Sequence, residues 1–266
     1  MNELDRYKFI FLCGLHRSGT SPLFRLLREH PDISGFRDTG VPEDEGQHLQ
    51  TVFPAAKVYG GPGRFGFNPD AHLTEDSDLV TPENRQQLFK EWSRYWDLNK
   101  QCLLEKSPPS LIRTRFLQAI FPNSYFIVIY RHPVAVSLAT WKWTPTSLES
   151  LMEHWLHCHS FFETDRRRLR RVLAIKYEDL IRNTEPVLRE IYQFLGLSSH
   201  FSTSLDPSGN ERYFSAWRNL SIEPKERAMW NRIVTKYEQQ VRSYGYSLVD
   251  LESGIASIQV APILHV

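Results

Sequence analysis

A three-layer α/β fold, with a central parallel sheet flanked by helices, is the architecture this sequence predicts, and three observations predict it. Four short apolar runs read as strands buried on both faces, helical patterns separate them, and a glycine loop joins the first run to the first helix. Sheets of this kind hold ligands beyond the carboxyl ends of their strands, so the residues that follow each run become the candidates for function.

The first run, KFIFLCG, extends from Lys8 to Gly14 and leads into Gly14-Leu-His-Arg-Ser-Gly-Thr-Ser21. That loop comes close to the phosphate-binding pattern G-x-x-x-x-G-K-[ST], with Thr20 standing where the lysine belongs. Ser21-Pro22 opens a helix with Leu23, Leu26 and Leu27 on one face. The helix closes at His30-Pro31, because a residue before proline resists the α conformation. Strand, glycine loop and helix in this order make the expected fold P-loop-like. From residue 32 to residue 80 periodicity is weak, with an acidic stretch, FRDTGVPEDEGQHLQ, and a glycine-aromatic stretch, YGGPGRFGF. Such a long irregular segment is expected to shape a site on the substrate side.

Thr81-Pro82-Glu83 caps and starts a helix running to about Tyr95. The second strand is CLLEK, Cys102 to Lys106, followed by a helix from about Ser110 to Phe121. The third strand is SYFIVIY, Ser124 to Tyr130, and RHPVAVSLATWKW turns helical after Pro133. A longer helix covers Ser147 to about Leu169, the fourth strand is VLAIK, Val172 to Lys176, and Thr184-Glu185-Pro186 starts a helix ending at Gly196. A charged amphipathic helix spans Glu223 to Tyr244. No repeat or linker interrupts the chain, so residues 1–266 are expected to form a single domain with residues 245–266 as a C-terminal extension.

Bulk properties narrow the function. The net charge of +1 gives no global attraction to nucleic acid, and no apolar stretch reaches the roughly 18 residues that span a bilayer. The three cysteines, Cys13, Cys102 and Cys158, are scattered without a CxxC, which suits free thiols in a reducing compartment. MNELDRYK runs straight into the first strand with no room for a signal peptide, so a cytoplasmic location is expected.

Backbone N–H groups of a glycine turn and the positive end of the following helix cradle one anionic group. A nucleotide triphosphatase adds a lysine for the terminal phosphates and a strand-end aspartate that helps hold Mg²⁺. Neither is present here, so the cradle should take a smaller anion without an obligatory metal. Every strand end nonetheless carries a cation: Arg17 in the first loop, Lys106 beside Glu105, Arg131, and Lys176.

The combination resembles the sulfotransferases, which move a sulfuryl group from 3′-phosphoadenosine-5′-phosphosulfate (PAPS) to an acceptor. HRSGTS is similar to their 5′-phosphosulfate loop, FPNSYFIVIYRHPVAVSLA to their 3′-phosphate motif, and EKSP and IKYEDL occur at matching places, over about Phe9 to Leu197. The pattern looks closest to the protein-tyrosine and bacterial branch. The resemblance implies PAPS as donor and adenosine 3′,5′-bisphosphate (PAP) as product, with direct in-line transfer to a hydroxyl on a glycan, glycolipid, metabolite or tyrosine, and no metal.

It assigns Arg17, Ser18, Gly19, Thr20 and Ser21 to the 5′-phosphosulfate, Arg131 to the 3′-phosphate, and Tyr177 to the adenine. The family serine position is Ala139 here, and Ser137 and Thr140 flank it, with Ser137 favoured. Lys106 matches the lysine that contacts the sulfuryl group or bridging oxygen, and Arg17 could share that work. For the base, counting from His30-Pro31 points to Asp38, while Glu45 and His48 follow in the same acidic loop. If the loop geometry differs from that count, Glu45 is the better candidate, because a second helix could begin there and aim it inward.

Two other motifs stand apart. HWLHCH holds an i, i+4 His154–Cys158 pair that could ligate zinc, but no second pair has suitable spacing, so a packed helix face is expected. RRRLRR, Arg166 to Arg171, suits a helix C-terminus and could also attract an anionic acceptor or a membrane surface. The rival readings are a divergent nucleoside or nucleotide kinase and a nucleotide-binding domain without chemistry.

Overall fold

The computed structural model describes residues 3–200 and 204–252. In chain order the regular elements are β1 (Lys8–Cys13), α1 (Thr20–Leu27), β2 (Ile33–Gly35), α2 (Pro82–Trp92), β3 (Cys102–Lys106), α3 (Thr114–Ile120) and β4 (Ser124–Tyr130). They continue with α4 (Pro133–Trp141), α5 (Leu148–Asp165), β5 (Val172–Lys176), α6 (Tyr177–Arg182), α7 (Thr184–Leu195), α8 (Glu211–Ile222) and α9 (Pro224–Ser243). The four predicted strands are β1, β3, β4 and β5, and all pair in parallel, in the order β2-β3-β1-β4-β5. Residues 253–266 of the expected C-terminal extension lie outside the described residues.

Burial on both faces explains why these strands read as unbroken apolar runs rather than alternating ones. Phe9 stacks on Phe121 at 4.2 Å, and Phe11, Trp92 and Trp96 extend the same aromatic layer, fixing α2 and the end of α3 against β1. The chain leaves β1 for β2 and β3 on one side and then crosses to β4 and β5 on the other. The topological switch therefore lies at β1, and the glycine loop sits at its carboxyl end.

Residues 36–81 carry five short 3₁₀ turns rather than longer helices. Side-chain hydrogen bonds fix them. The Gln47 backbone N–H donates to Ser107 Oγ at 2.9 Å, the Ala56 N–H to Gln47 Oε1 at 2.9 Å, and Trp92 Nε1 to Gly46 O at 3.0 Å. Further along, His72 meets Asp165 at 2.7 Å, and Arg115 bridges Asp165 and Glu75. This segment is therefore fastened to β3 at one end and to α5 at the other.

The two motifs set apart in the sequence are absorbed by the fold. His154 Nε2 faces the Gly66 N–H at 3.1 Å and Cys158 Sγ at 3.4 Å, inside a packed face of α5. In the arginine run, Arg166 pairs with Glu163, Arg168 with Glu75, and Arg171 lies over Tyr125. The run precedes β5, so it occupies the amino end of the sheet, away from the glycine loop. Among the described residues no helix is long and apolar enough to cross a membrane.

Burial sets an acid limit on the fold. His16, His132, His154 and His159 are each pushed down from 6.5 to about 3, chiefly because burial disfavours the imidazolium. A folded pKa below the unfolded one means that unfolding takes up protons between the two. Stability from these groups is complete above pH 6.5 and is lost as pH falls toward 3, by about 1.4 kcal/mol per pH unit for each histidine. Glu105 runs the other way: burial holds its carboxyl up at about 7 against 4.5, so its contribution shrinks as pH rises through that window. The histidines outweigh it. The melting temperature is expected to fall steeply from pH 6.5 to 5 in calorimetry, and a flat profile would contradict the burial argument.

Candidate active site

Gly19 is the N-cap of α1 at φ 101°, and a side chain there would run into the ring of Tyr177, so only glycine satisfies both the backbone and the packing. Arg17, two residues earlier, also has positive φ, 69°. The first turn of α1 carries no acidic residue, leaving its positive end open to an anion. Ser18 Oγ and Arg17 Nε are buried without a hydrogen-bond partner, so the loop holds donors beyond those its own fold uses.

Above the loop opens a cleft of about 560 Å³. Gly19, Thr20, Ser21 and Pro22 form its floor, and Arg17, Arg25, Arg131 and Arg212 supply positive charge. Glu43, Asp206 and Glu211 also line it, so the charge is mixed rather than uniformly basic. Tyr177, Gly209 and Tyr213 close the wall.

Arg131, at the end of β4, organises this wall. Its Nε donates to Asn210 Oδ1 at 2.8 Å, one Nη to Arg17 O at 2.7 Å and the other to Gly209 O at 2.7 Å. The guanidinium lies over Tyr177 at 4.2 Å and Tyr213 at 5.3 Å. A guanidinium has five N–H groups, so two remain for a ligand. Arg131 thus clamps the glycine loop to residues 209–210 as well as facing the cleft.

Lys106 closes the other side. Its Nζ is 3.3 Å from Glu45 Oε1 and 3.4 Å from Ser21 Oγ, and its side chain is fully buried. Glu45 immediately precedes the 3₁₀ turn Gly46–His48, which aims its carboxylate inward. Gln47 Nε2 donates to Glu45 Oε2 at 2.5 Å, and His48 Nε2 lies 3.9 Å from the same oxygen. Burial pushes the His48 pKa down, Glu45 raises it, and Lys57 and Lys106 lower it. His16 feels Lys106 first among its charged neighbours, then His48 and Arg17, so these groups surround one imidazole.

The structure brings together Arg17, Thr20, Ser21, Lys106, Arg131, Tyr177, Glu45 and His48 from the sequence-predicted set. It places four others elsewhere. Asp38 is exposed at φ 51°, and its charge acts on Arg28. Ser137 and Thr140 line a small separate cavity with His16 and His154, where Thr140 Oγ1 donates to Val136 O at 2.8 Å. Lys176 Nζ donates to Gly245 O at 3.2 Å and lies over Tyr246, outside the cleft.

A sequence profile of the sulfotransferase family matches residues 10–201. The chain belongs to the sulfotransferase family. Solved sulfotransferases share its fold. The sulfotransferase domain of the Synechococcus olefin synthase aligns with TM-score 0.50 and 20% identity, over 90% of this chain and 94% of that one. Sulfotransferase STF9 from Mycobacterium avium aligns with TM-score 0.51 and 15% identity, over 88% of this chain and 76% of that one. Among curated proteins no sequence matches significantly.

Sequence reading missed three residues that line this sulfotransferase cleft, Arg25, Arg212 and Tyr213, and Asn210, which holds Arg131. It also missed Trp143, outside the cleft, whose ring lies 4.3 Å from the Arg17 guanidinium. Arg25 had a signal, since it follows the loop on the first helix. The apolar spacing Tyr213, Phe214, Trp217 would have found α8.

Proposed function

We propose that this sulfotransferase, as a single domain acting in the cytoplasm, transfers a sulfuryl group from PAPS to a hydroxyl acceptor by direct in-line displacement. The observation that carries this reading is the placement of Lys106 between a glycine-loop hydroxyl and a buried carboxylate, 3.4 Å from Ser21 Oγ and 3.3 Å from Glu45 Oε1. Base, cation and anion cradle therefore converge on one point.

The cleft suits the nucleotide. Unpartnered Ser18 Oγ and Arg17 Nε, with the N–H groups opening α1, fit the 5′-phosphosulfate. The two spare N–H groups of Arg131, with Arg212 beside them, fit the 3′-phosphate, and a guanidinium fork matches phosphate geometry. Tyr177, which lines the cleft beneath the Arg131 guanidinium, is assigned to the adenine. Ser137 and Thr140, facing the small cavity, have no part in this assignment.

Glu45 takes the acceptor proton as the new oxygen–sulfur bond forms. The sulfur–oxygen bond to the 5′-phosphate breaks, and its electron pair leaves on PAP. Lys106 and Arg17 stabilise charge on the sulfuryl oxygens and the departing phosphate, the task Mg²⁺ performs in triphosphatases. His48 sits beside Glu45 as the alternative proton acceptor.

A thermal-shift titration tests the donor. PAP at about a hundred times its dissociation constant should add about 2.7 kcal/mol of stability, while Mg²⁺-ATP should add little. Stabilisation by Mg²⁺-ATP alone would favour a kinase. Stabilisation by PAP without transfer of labelled sulfate to any acceptor would favour a binding domain without chemistry.

A further inference from the structure

Trp143 stands in the turn after α4, and one face of its indole covers the Arg17 guanidinium at 4.3 Å. The ring is otherwise bare, since Trp143 is 61% exposed. Tryptophan presents a large, rigid ring with an apolar face and a polar N–H, a side chain suited to stacking against a flat ligand. Trp141, two residues earlier, is also exposed. The shelf is not a loose loop. Thr144 Oγ1 donates to Pro62 O at 2.9 Å, the Trp143 N–H to Thr140 O at 2.9 Å, and Gly63 fits closely against Leu151 and Thr140.

Its position assigns it a side of the reaction. Arg17 lines the nucleotide cleft and Trp143 does not, so the indole meets Arg17 outside the cleft's lining. Thr140 and Gly63, which hold the shelf, line one small cavity with His16, and Lys106, His48 and Arg17 all act on that imidazole. The shelf thus adjoins the groups proposed to receive the acceptor hydroxyl, rather than those proposed to hold adenosine.

We infer that Trp143 is the acceptor-binding platform and that the acceptor it fits is a carbohydrate. This rests on the sulfuryl-transfer reading above. A sugar ring presents a flat C–H face to an indole and keeps its hydroxyls at the edge, in water or beside the adjacent, exposed Lys142. A small phenol or a steroid is bound by enclosure in an apolar pocket, whereas Trp143 offers one open face. Trp143 selects the acceptor without touching the reacting atoms.

The test uses the full chain, unaltered and as Trp143→Ala and Trp143→Phe, with labelled PAPS and a fixed panel. The panel holds chitotriose, N-acetyllactosamine and a heparosan tetrasaccharide as sugars, with 2-naphthol and an acidic tyrosine peptide as non-sugars. Label is expected on at least one sugar. Trp143→Ala should raise the KM for that sugar by about tenfold or more and leave kcat within about threefold, and Trp143→Phe should restore most of the loss. The thermal shift produced by PAP should be the same in all three proteins.

Transfer to 2-naphthol or the peptide with none to any sugar overturns the inference, as does an unchanged sugar KM in Trp143→Ala. An intact PAP shift with no labelled sugar also counts against it, unless saturation-transfer NMR in the presence of PAP shows one of these sugars contacting the unaltered protein and not Trp143→Ala, which supports it. Absence of a PAP shift in the unaltered protein strikes the donor reading instead, so the two failures are separable.

Discussion

Turnover is expected to fall by about a hundred- to a thousandfold when Lys106 is replaced by alanine, the usual effect of removing one preorganised donor from a developing charge. PAP affinity should change far less, because the phosphates are assigned to the glycine loop and to Arg131. Lys106 is also fully buried against Glu45, so its removal leaves a carboxylate unpaired and costs about 3–5 kcal/mol of stability. Lys106→Met and the double variant Lys106→Met/Glu45→Gln separate the two effects. The double variant should regain melting temperature and remain inactive in single-turnover transfer. Full turnover in any soluble Lys106 variant refutes its role. Glu45→Gln alone should lower the chemical step by about a hundred- to ten-thousandfold, as expected for loss of a general base. If it does not, the base is His48, and His48→Ala becomes the inactive variant.

Replacing Arg131 by lysine keeps the charge and removes the fork. The preference for PAP over adenosine 5′-phosphate is expected to shrink by about 2 kcal/mol, roughly thirtyfold, as for loss of a charged hydrogen-bonding partner. Calorimetry with both nucleotides reads this directly. An undiminished preference would leave Arg131 a clamp only, and would pass the 3′-phosphate to Arg212. Arg131→Ala goes further, because it also releases Arg17 O, Gly209 O and Asn210 from one another. That variant should lose stability along with binding, so lysine is the cleaner probe.

Much of the fold was legible because its main strands are buried on both faces and announce themselves as apolar runs, from KFIFLC to VLAIK. Strand β2 was not, since three residues, Ile-Ser-Gly, carry neither a run nor an alternation. Helix α6 is a single short element, and its residues Tyr177–Arg182 read as the end of a strand motif. In the site, the strand ends gave Arg17, Lys106 and Arg131, because topology sends ligands there. Lys176 obeys the same rule of position and serves another purpose, fastening β5 to Gly245. Family spacing pointed to Ser137, and α4 places it against a small cavity shared with His16. Arg212 and Trp143 were invisible because nothing local to them speaks of phosphate or sulfate. Only folding brings them beside Arg17.

The clamp at Arg131 reaches 114 residues back to Arg17 and 78 residues forward to Gly209. The stretch that resembles the family ends at residue 201, short of the wall it needs. An expression fragment trimmed to that boundary would keep the phosphate loop and all five strands, yet would forfeit Gly209, Asn210 and Arg212. During synthesis, likewise, the nucleotide seat cannot be complete until residues 209–213 have left the ribosome.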